Sequence, residues 1–300
     1  MICKSWRCSL HGGHSGTFCE HAEGSLEEVL EAAVVNGYHT FGVSEHVPRT
    51  ESRFLYSTEQ EKGFTVQRLE KEFRNYTKVI GELANQFADR LIVLRGFETE
   101  VVPTSDYRER MIAYRQSGDF DYMVGSVHHV EEVLIDGPTE EFRLICDGLG
   151  GLEALSIRYY ETVAEMIEVL SPEVVGHLDL VRKNADLDVS LDTPRIRRAA
   201  DRALEATRSC GAILDLNTAG YRKGLGTPYP APWLVKRANT MDIPFCFGDD
   251  SHGPSQVAAG IENGRVYLLE NGVKEITVLT RPEGSDSSTP VEKRVVSLYG

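Results

Sequence analysis

Short apolar runs alternate with amphipathic stretches along almost the whole chain. The apolar runs fall at residues 39–44 (HTFGVS), 91–96 (LIVLRG), 122–127, 174–177, 212–216 (AILDL) and 244–248 (PFCFG). Between them, helical periodicity predicts helices over 25–36, 58–87, 106–116, 139–170, 193–209, 231–240 and 255–263. Ser25-Leu26-Glu27-Glu28 reads as a cap followed by first-turn acids, and Gly37 as the stop. Thr193-Pro194 places a cap before a first-turn proline. Strand–helix alternation sustained for about seven repeats favours a parallel α/β sheet closed into a barrel. Toward the end, residues 265–269 and 275–279 read as two short strands about an Asn271-Gly272 turn. From Pro282 onward the composition (PEGSDSSTP) reads as a flexible tail, leaving 1–281 as a single domain and 282–300 outside it.

Composition bounds what such a barrel does. Of 300 residues, 41% are hydrophobic and 26% charged, which excludes collagen-like and wholly disordered chains. Lys plus Arg number 32 against 46 Asp plus Glu, a net charge of −14. A body this acidic repels phosphate backbones, so no nucleic-acid partner is expected. An anionic substrate needs a local cluster of cations to outweigh that field. The 6 cysteines form no CxxC pair and read as reduced thiols. Neither a signal peptide at the start nor a run of about 20 apolar residues is present, so a cytoplasmic protein without a membrane partner is expected.

The candidate chemistry lies in the histidines. Of 9 in the chain, His11, His14, His21, His46, His128, His177 and His252 are read at or just past the C-terminal end of an expected strand. In a parallel barrel that end is the mouth, where distant residues converge. Glu98, Asp179 and the Asp249-Asp250 pair accompany them. Imidazole and carboxylate together suit zinc, manganese or iron, and the donors outnumber the four of one tetrahedral site. Two or three divalent ions are therefore expected. Asp250 and His252, two residues apart, face the same way on an extended segment. His11 and His14 are three apart and both reach the site only if Gly12 and Gly13 form a bulge. His128 follows its strand directly, whereas His129 reads as a supporting or surface residue. Cys19 has a suitable spacing to His21 for a ligand but reads as buried packing or as a residue near the substrate.

Arg182-Lys183 and Arg222-Lys223 are basic pairs placed after strands, where guanidinium groups bind phosphate oxygens. GxSxG, a Walker loop and a strand-borne GxGxxG are all absent, so a hydroxide generated at metal is the candidate attacker.

Taken in order, HGGHSGTFCEHA, SEHVPR, LRGFETE, GSVHH, GHLDLVRK, LDLNTAGYRKG and FGDDSH resemble the PHP (polymerase and histidinol phosphatase) superfamily, most of all its histidinol-phosphate phosphatase branch. The resemblance implies a distorted (β/α)7 TIM-like barrel with a metal site at the C-terminal mouth. It implies His11, His14, Glu98 and Asp250 at a first ion, Glu98, His128 and His177 at a second, and His21, His46 and His252 at a third. Glu98, Asp250 and His252 are the candidate catalytic residues, and Arg222, Arg182 and Asn217 the candidate substrate contacts. The chain departs from the family in carrying HxxH for HxH and Glu45 where Asp is commoner. The expected reaction is hydrolysis of a small phosphomonoester, L-histidinol phosphate foremost. A nucleotide phosphoesterase, a C–N hydrolase and a non-catalytic binding module are the alternatives.

Overall fold

The computed structural model describes residues 6–186, 189–282 and 289–299. In chain order the strands are β1 (Cys8–Ser9), β2 (Thr40–His46), β3 (Ile92–Glu98), β4 (Tyr122–Gly125), β5 (His129–Val130), β6 (Val133–Leu134), β7 (Val174–Val175), β8 (Ile213–Asn217), β9 (Phe245–Gly248), β10 (Glu275–Thr280) and β11 (Glu292–Ser297). Seven of them form one parallel sheet in the order β1-β2-β3-β4-β7-β8-β9. The Leu10 amide donates to the Phe247 carbonyl at 2.8 Å, which brings the two ends of the sheet together. The result is a nearly closed, distorted (β/α)7 barrel: the sequence pattern anticipates the closed parallel sheet, and the resemblance implies its distorted form.

The helices are α1 (Leu26–Val35), α2 (Ser57–Glu61), α3 (Val66–Gln86), α4 (Tyr107–Gln116), α5 (Thr139–Leu149), α6 (Leu152–Leu170), α7 (Pro194–Cys210), α8 (Ala219–Arg222), α9 (Pro232–Thr240) and α10 (Ile261–Glu270). Ser25 caps α1, its hydroxyl accepting from the Glu28 amide while the Glu28 carboxylate accepts from the Ser25 amide. In α3, Leu69, Phe73, Tyr76, Ile80 and Leu83 recur every three to four residues and form the buried face. The Tyr76 hydroxyl lies 3.1 Å from the Val43 carbonyl and 2.7 Å from that of Gly96, tying this helix to β2 and β3. No described helix is long and apolar enough to cross a membrane.

A small second core fills the barrel's interior: Leu10, Leu94, Tyr122, Val124, Val174, Ile213, Cys246 and Leu279. Tyr122 fits there because its neighbours on β2 and β3 lack side chains. A Cβ on Gly42 would stand 2.2 Å from the Tyr122 hydroxyl, and one on Gly96 2.4 Å from its ring.

Four expectations are corrected. The helix expected over 139–170 is two, because Gly150 and Gly151 take φ of 93° and 110°. That expected over 58–87 also breaks, at Gly63 (φ 68°), and restarts at the Thr65 cap. The helix expected over 255–263 begins later, so residues 265–269 are helical within α10 rather than a strand. Their apolar positions Tyr267 and Leu268 face the core at helical spacing, which a short run does not distinguish from a strand. The strand over 275–279 is real, but its partner is β11, paired antiparallel from Glu275↔Ser297 to Thr280↔Glu292. Part of the expected tail is thus an ordered strand, while residues 283–288 lie outside the described residues. Of the cysteines, Cys8, Cys19, Cys146, Cys210 and Cys246 are free thiols and Cys3 lies outside the described residues.

Candidate metal centre

Register brings the polar strand ends together. His46 pairs with Glu98 across β2 and β3, and Asn217 with Gly248 across β8 and β9, just before Asp249-Asp250. Glu98 stands at the centre, 1% exposed. Its Oε1 lies 3.0 Å from His11 Nε2, 3.2 Å from His177 Nε2 and 3.3 Å from His128 Nε2. Its Oε2 lies 3.1 Å from His46 Nδ1 and 3.7 Å from His14 Nε2. Asp250 Oδ1 is 3.9 Å from His14 Nε2 and 3.6 Å from His252 Nδ1.

His11 and His14 both reach this cluster through the glycine bulge that their spacing requires. Gly12 and Gly13 have φ of 123° and 75°. A Cβ on Gly12 would lie 2.6 Å from the Ser251 amide nitrogen and 2.8 Å from Asp250 Cα, so the loop presses on the segment that carries Asp250.

Three carboxylates stand behind the imidazoles. Asp215 Oδ2 is 2.7 Å from His11 Nδ1, Glu45 Oε2 is 3.1 Å from His14 Nδ1, and Glu100 Oε1 is 3.3 Å from His128 Nδ1. Such partners fix which ring nitrogen is free to face an ion. Glu45 reaches His14 despite being longer than aspartate. Asp215 and Glu100 escaped the sequence reading, although each lies two positions along the chain from a residue already singled out, Asn217 and Glu98. Period-two spacing was the available signal for Asp215 on β8.

The charge balance follows from this packing. Burial alone would lower the pKa of His11, but Glu98 and Asp215 outweigh it and hold the ring well above the usual histidine value. His128 behaves alike, with burial opposed by Glu100 and Glu98. Burial would raise Glu98, yet His11, His46 and His128 hold it well below the carboxylate range. Asp250 is likewise lowered, burial being outweighed by His11 and His252. His21 and His252 are pushed down, by burial first and then by neighbouring imidazoles.

These residues fit divalent ions. His11 Nε2, His14 Nε2, His46 Nδ1 and Glu98 Oε2 are buried without an aligned hydrogen-bond partner. Among the described residues, donor atoms within 4.8 Å of one another occur in four overlapping sets: His11, His14 and Glu98; His11, His177 and Asp250; His46, Glu98 and His128; and His14, Cys19, His46 and His252. The last set holds Cys19 where the resemblance places His21. The Cys19 sulfur sits 3.4 and 3.5 Å from the two nitrogens of His21, whose ring centre is 4.9 Å from that of His252 and 5.6 Å from that of His46.

The mouth opens into a cavity of about 1270 Å³ whose walls include Tyr56, His129, Asp136, Lys183, Arg222 and Lys223. Arg222 holds the carbonyls of Asp249 and Asp250, each at 2.8 Å. Two expected substrate contacts are not on this wall. Arg182 bonds Asp179 (3.1 Å), the Pro228 carbonyl (3.2 Å) and the Thr227 hydroxyl (2.7 Å), because buried Asp179 needs a cation. Its neighbour Lys183 lines the cavity instead. Asn217 is fully buried and donates to Asp215 (3.1 Å) and Asp250 (3.2 Å), so it aligns carboxylates. Asp179 and Asp249 also serve structure, Asp249 accepting from Tyr38, Ser251 and Ala258. His129, read as a supporting or surface residue, is 3% exposed and stands 3.2 Å from Glu100, so it is a supporting one.

A parallel barrel with a histidine-ringed glutamate at its C-terminal mouth defines a barrel built to bind divalent metal ions. The sequence pattern of the PHP domain matches residues 11–219, and the chain belongs to the PHP domain family. It is 32% identical over 286 residues to a protein of Schizosaccharomyces pombe named as a probable histidinol-phosphatase, covering 94% of this chain and 92% of that one. It is 28% identical to the histidinol-phosphatase of Saccharomyces cerevisiae, over 87% of this chain and 88% of that one. Among solved structures, a Listeria monocytogenes chain assigned as a histidinol phosphatase superposes with a TM-score of 0.73 at 25% identity, covering 85% of this chain and 99% of that one. The histidinol phosphate phosphatase of Lactococcus lactis, solved with zinc, L-histidinol and phosphate, shares the fold at 19% identity with a TM-score of 0.71, covering 96% of this chain and 99% of that one.

Proposed function

We propose that this protein is a metal-dependent phosphatase that hydrolyses L-histidinol phosphate to L-histidinol and phosphate. The observation that carries the reading is Glu98, buried among five imidazoles at a mouth whose cavity is also lined by Lys183, Arg222 and Lys223. With divalent ions bound, these cations would let an acidic protein offer a phosphate dianion a positive pocket. The names of the relatives supply the alcohol.

Bound ions contribute Lewis acidity toward the phosphate oxygens and lower the pKa of water. The residues do the rest. Glu98, His11, His14, His46, His128, His177, Asp250 and His252 would hold the ions, with His21 or Cys19 beside His46 and His252. Two or three ions of zinc, manganese or iron are expected. Arg222, held by two backbone carbonyls, orients the phosphate and neutralises charge that grows in the transition state. Asp250 and His252 face the cavity and are the groups to hold or move a proton near phosphorus. Free thiols at the described cysteines suit a cytoplasmic setting.

Phosphate release from a panel of small monoesters, after metal analysis of the purified protein, tests the reading. The highest kcat/KM on L-histidinol phosphate is the expected result. Faster hydrolysis of a dinucleotide than of any monoester overturns it.

A further inference from the structure

Glu100 is a buried carboxylate outside the ion cluster, 0% exposed, and it faces two adjacent rings. Its Oε1 is 3.3 Å from His128 Nδ1 and its Oε2 is 3.2 Å from His129 Nδ1. His128 Nδ1, His129 Nδ1 and Glu100 Oε2 have no aligned hydrogen-bond partner among the described residues, so each ring meets the carboxylate at ion-pair distance and a small rotation aligns it. Glu100 Oε1 also accepts from the Tyr56 hydroxyl at 3.4 Å and lies 3.8 Å from Arg49 Nη1. Arg49 is itself fixed by an ion pair with buried Glu59 and by stacking over Tyr56, 4.0 Å from the ring centre. Burial and these contacts leave Glu100 little freedom to turn away. The two rings it faces have different surroundings. Both rings line the cavity, but it is His128 that presents Nε2 to Glu98, at 3.3 Å.

We propose that Glu100 is a positioning residue that sets both imidazoles at once. It accepts the Nδ1 proton of His128 and of His129, so that each keeps a lone pair on Nε2. A neutral imidazole that donates through one nitrogen must accept through the other. The His128 lone pair then faces the ions, and that of His129 faces the cavity as an acceptor for a protonated amine or imidazolium of the substrate. The second half rests on the histidinol-phosphate reading; the first does not. Glutamine at position 100 keeps the shape, but its amide has one acceptor oxygen and cannot serve both rings in this way.

The test uses full-length metal-loaded protein and three variants: Glu100→Gln, Glu100→Asp and His129→Leu. Chelator competition with zinc gives metal affinity, and kinetics on L-histidinol phosphate and on p-nitrophenyl phosphate, which has neither amine nor imidazole, give kcat and KM. Glu100→Gln is expected to weaken zinc by about 10–100-fold, with Glu100→Asp recovering part of the loss. His129→Leu is expected to keep zinc affinity and to raise KM about tenfold for L-histidinol phosphate alone. Wild-type zinc affinity in Glu100→Gln, or an equal rise in KM for both esters in His129→Leu, overturns the proposal. If Glu100→Gln does not fold, Glu100→Asp is judged by the same zinc criterion. If the wild-type protein does not cleave L-histidinol phosphate, the substrate reading fails, and zinc affinity alone decides the role of Glu100.

Discussion

Glu98 concentrates the chemistry in one carboxylate. Its two oxygens are shared among five imidazoles, so an isosteric amide removes a bridging charge from every contact at once. Glu98→Gln is expected to lower kcat by more than about 100-fold and to shed bound metal. Kinetics at matched metal loading check this, and near-normal turnover there contradicts the bridging role. Gly12 offers a second test of single-residue reasoning. Alanine there forces a Cβ against the Ser251 nitrogen at a φ of 123°, which costs about 1–3 kcal/mol. A lower melting temperature together with reduced metal content is the expected outcome, because the displaced segment carries Asp250. Most of the cluster was legible in the sequence because strand ends in a parallel barrel converge whatever their separation in the chain. Arg182 and Asn217 misled for a shared reason. A polar side chain near the mouth also serves to neutralise a buried acid, and the sequence does not reveal which acid lies within reach.

Among the elements, β10 and β11 changed most between expectation and structure. Residue pattern alone marks β10, but its partner begins twelve residues beyond the end of β10, past a polar stretch that reads as a tail. The pairing is antiparallel and covers six residues of each strand. It buries Val296 and Leu298 against the main core, Leu298 to 0% exposure. Leu298→Ala is expected to cost about 2–5 kcal/mol, since the hairpin has little freedom to collapse onto the cavity. Urea denaturation monitors it. Metal-saturated activity in that variant should stay near normal, because the hairpin lies at the opposite end of the barrel from Glu98. The helix boundaries were misplaced for a simpler reason. Gly63, Gly150 and Gly151 adopt positive φ, and their breaking effect was weaker in the pattern than the apolar periodicity running across them.

For the whole molecule, the metal centre links stability to pH. In metal-free protein, protonated His11 and His128 stand in for cations beside Glu98 and its neighbours. Their folded pKa values are raised, so the stability they contribute is full below about pH 6.5 and is lost as pH rises through those values. Glu98 and Asp250 are lowered, so their contribution is present above about pH 4.3 and is lost as pH falls through their folded values. Chelator-treated protein should therefore melt at progressively lower temperature as pH rises above 6.5. Metal-loaded protein should not follow it, because ions replace the protons and bind better as imidazoles deprotonate. Melting curves with and without zinc across that range read the gap, which must widen with pH; a constant gap contradicts the scheme.

The stopper of apolar side chains inside the barrel has its own kinetic consequence. With Leu279 and its neighbours packed into the barrel's interior among the described residues, the cavity at the mouth is the way in and out of the site. Alcohol and inorganic phosphate must both back out past the same rim by which the ester came in, so each should compete with fresh substrate as it accumulates.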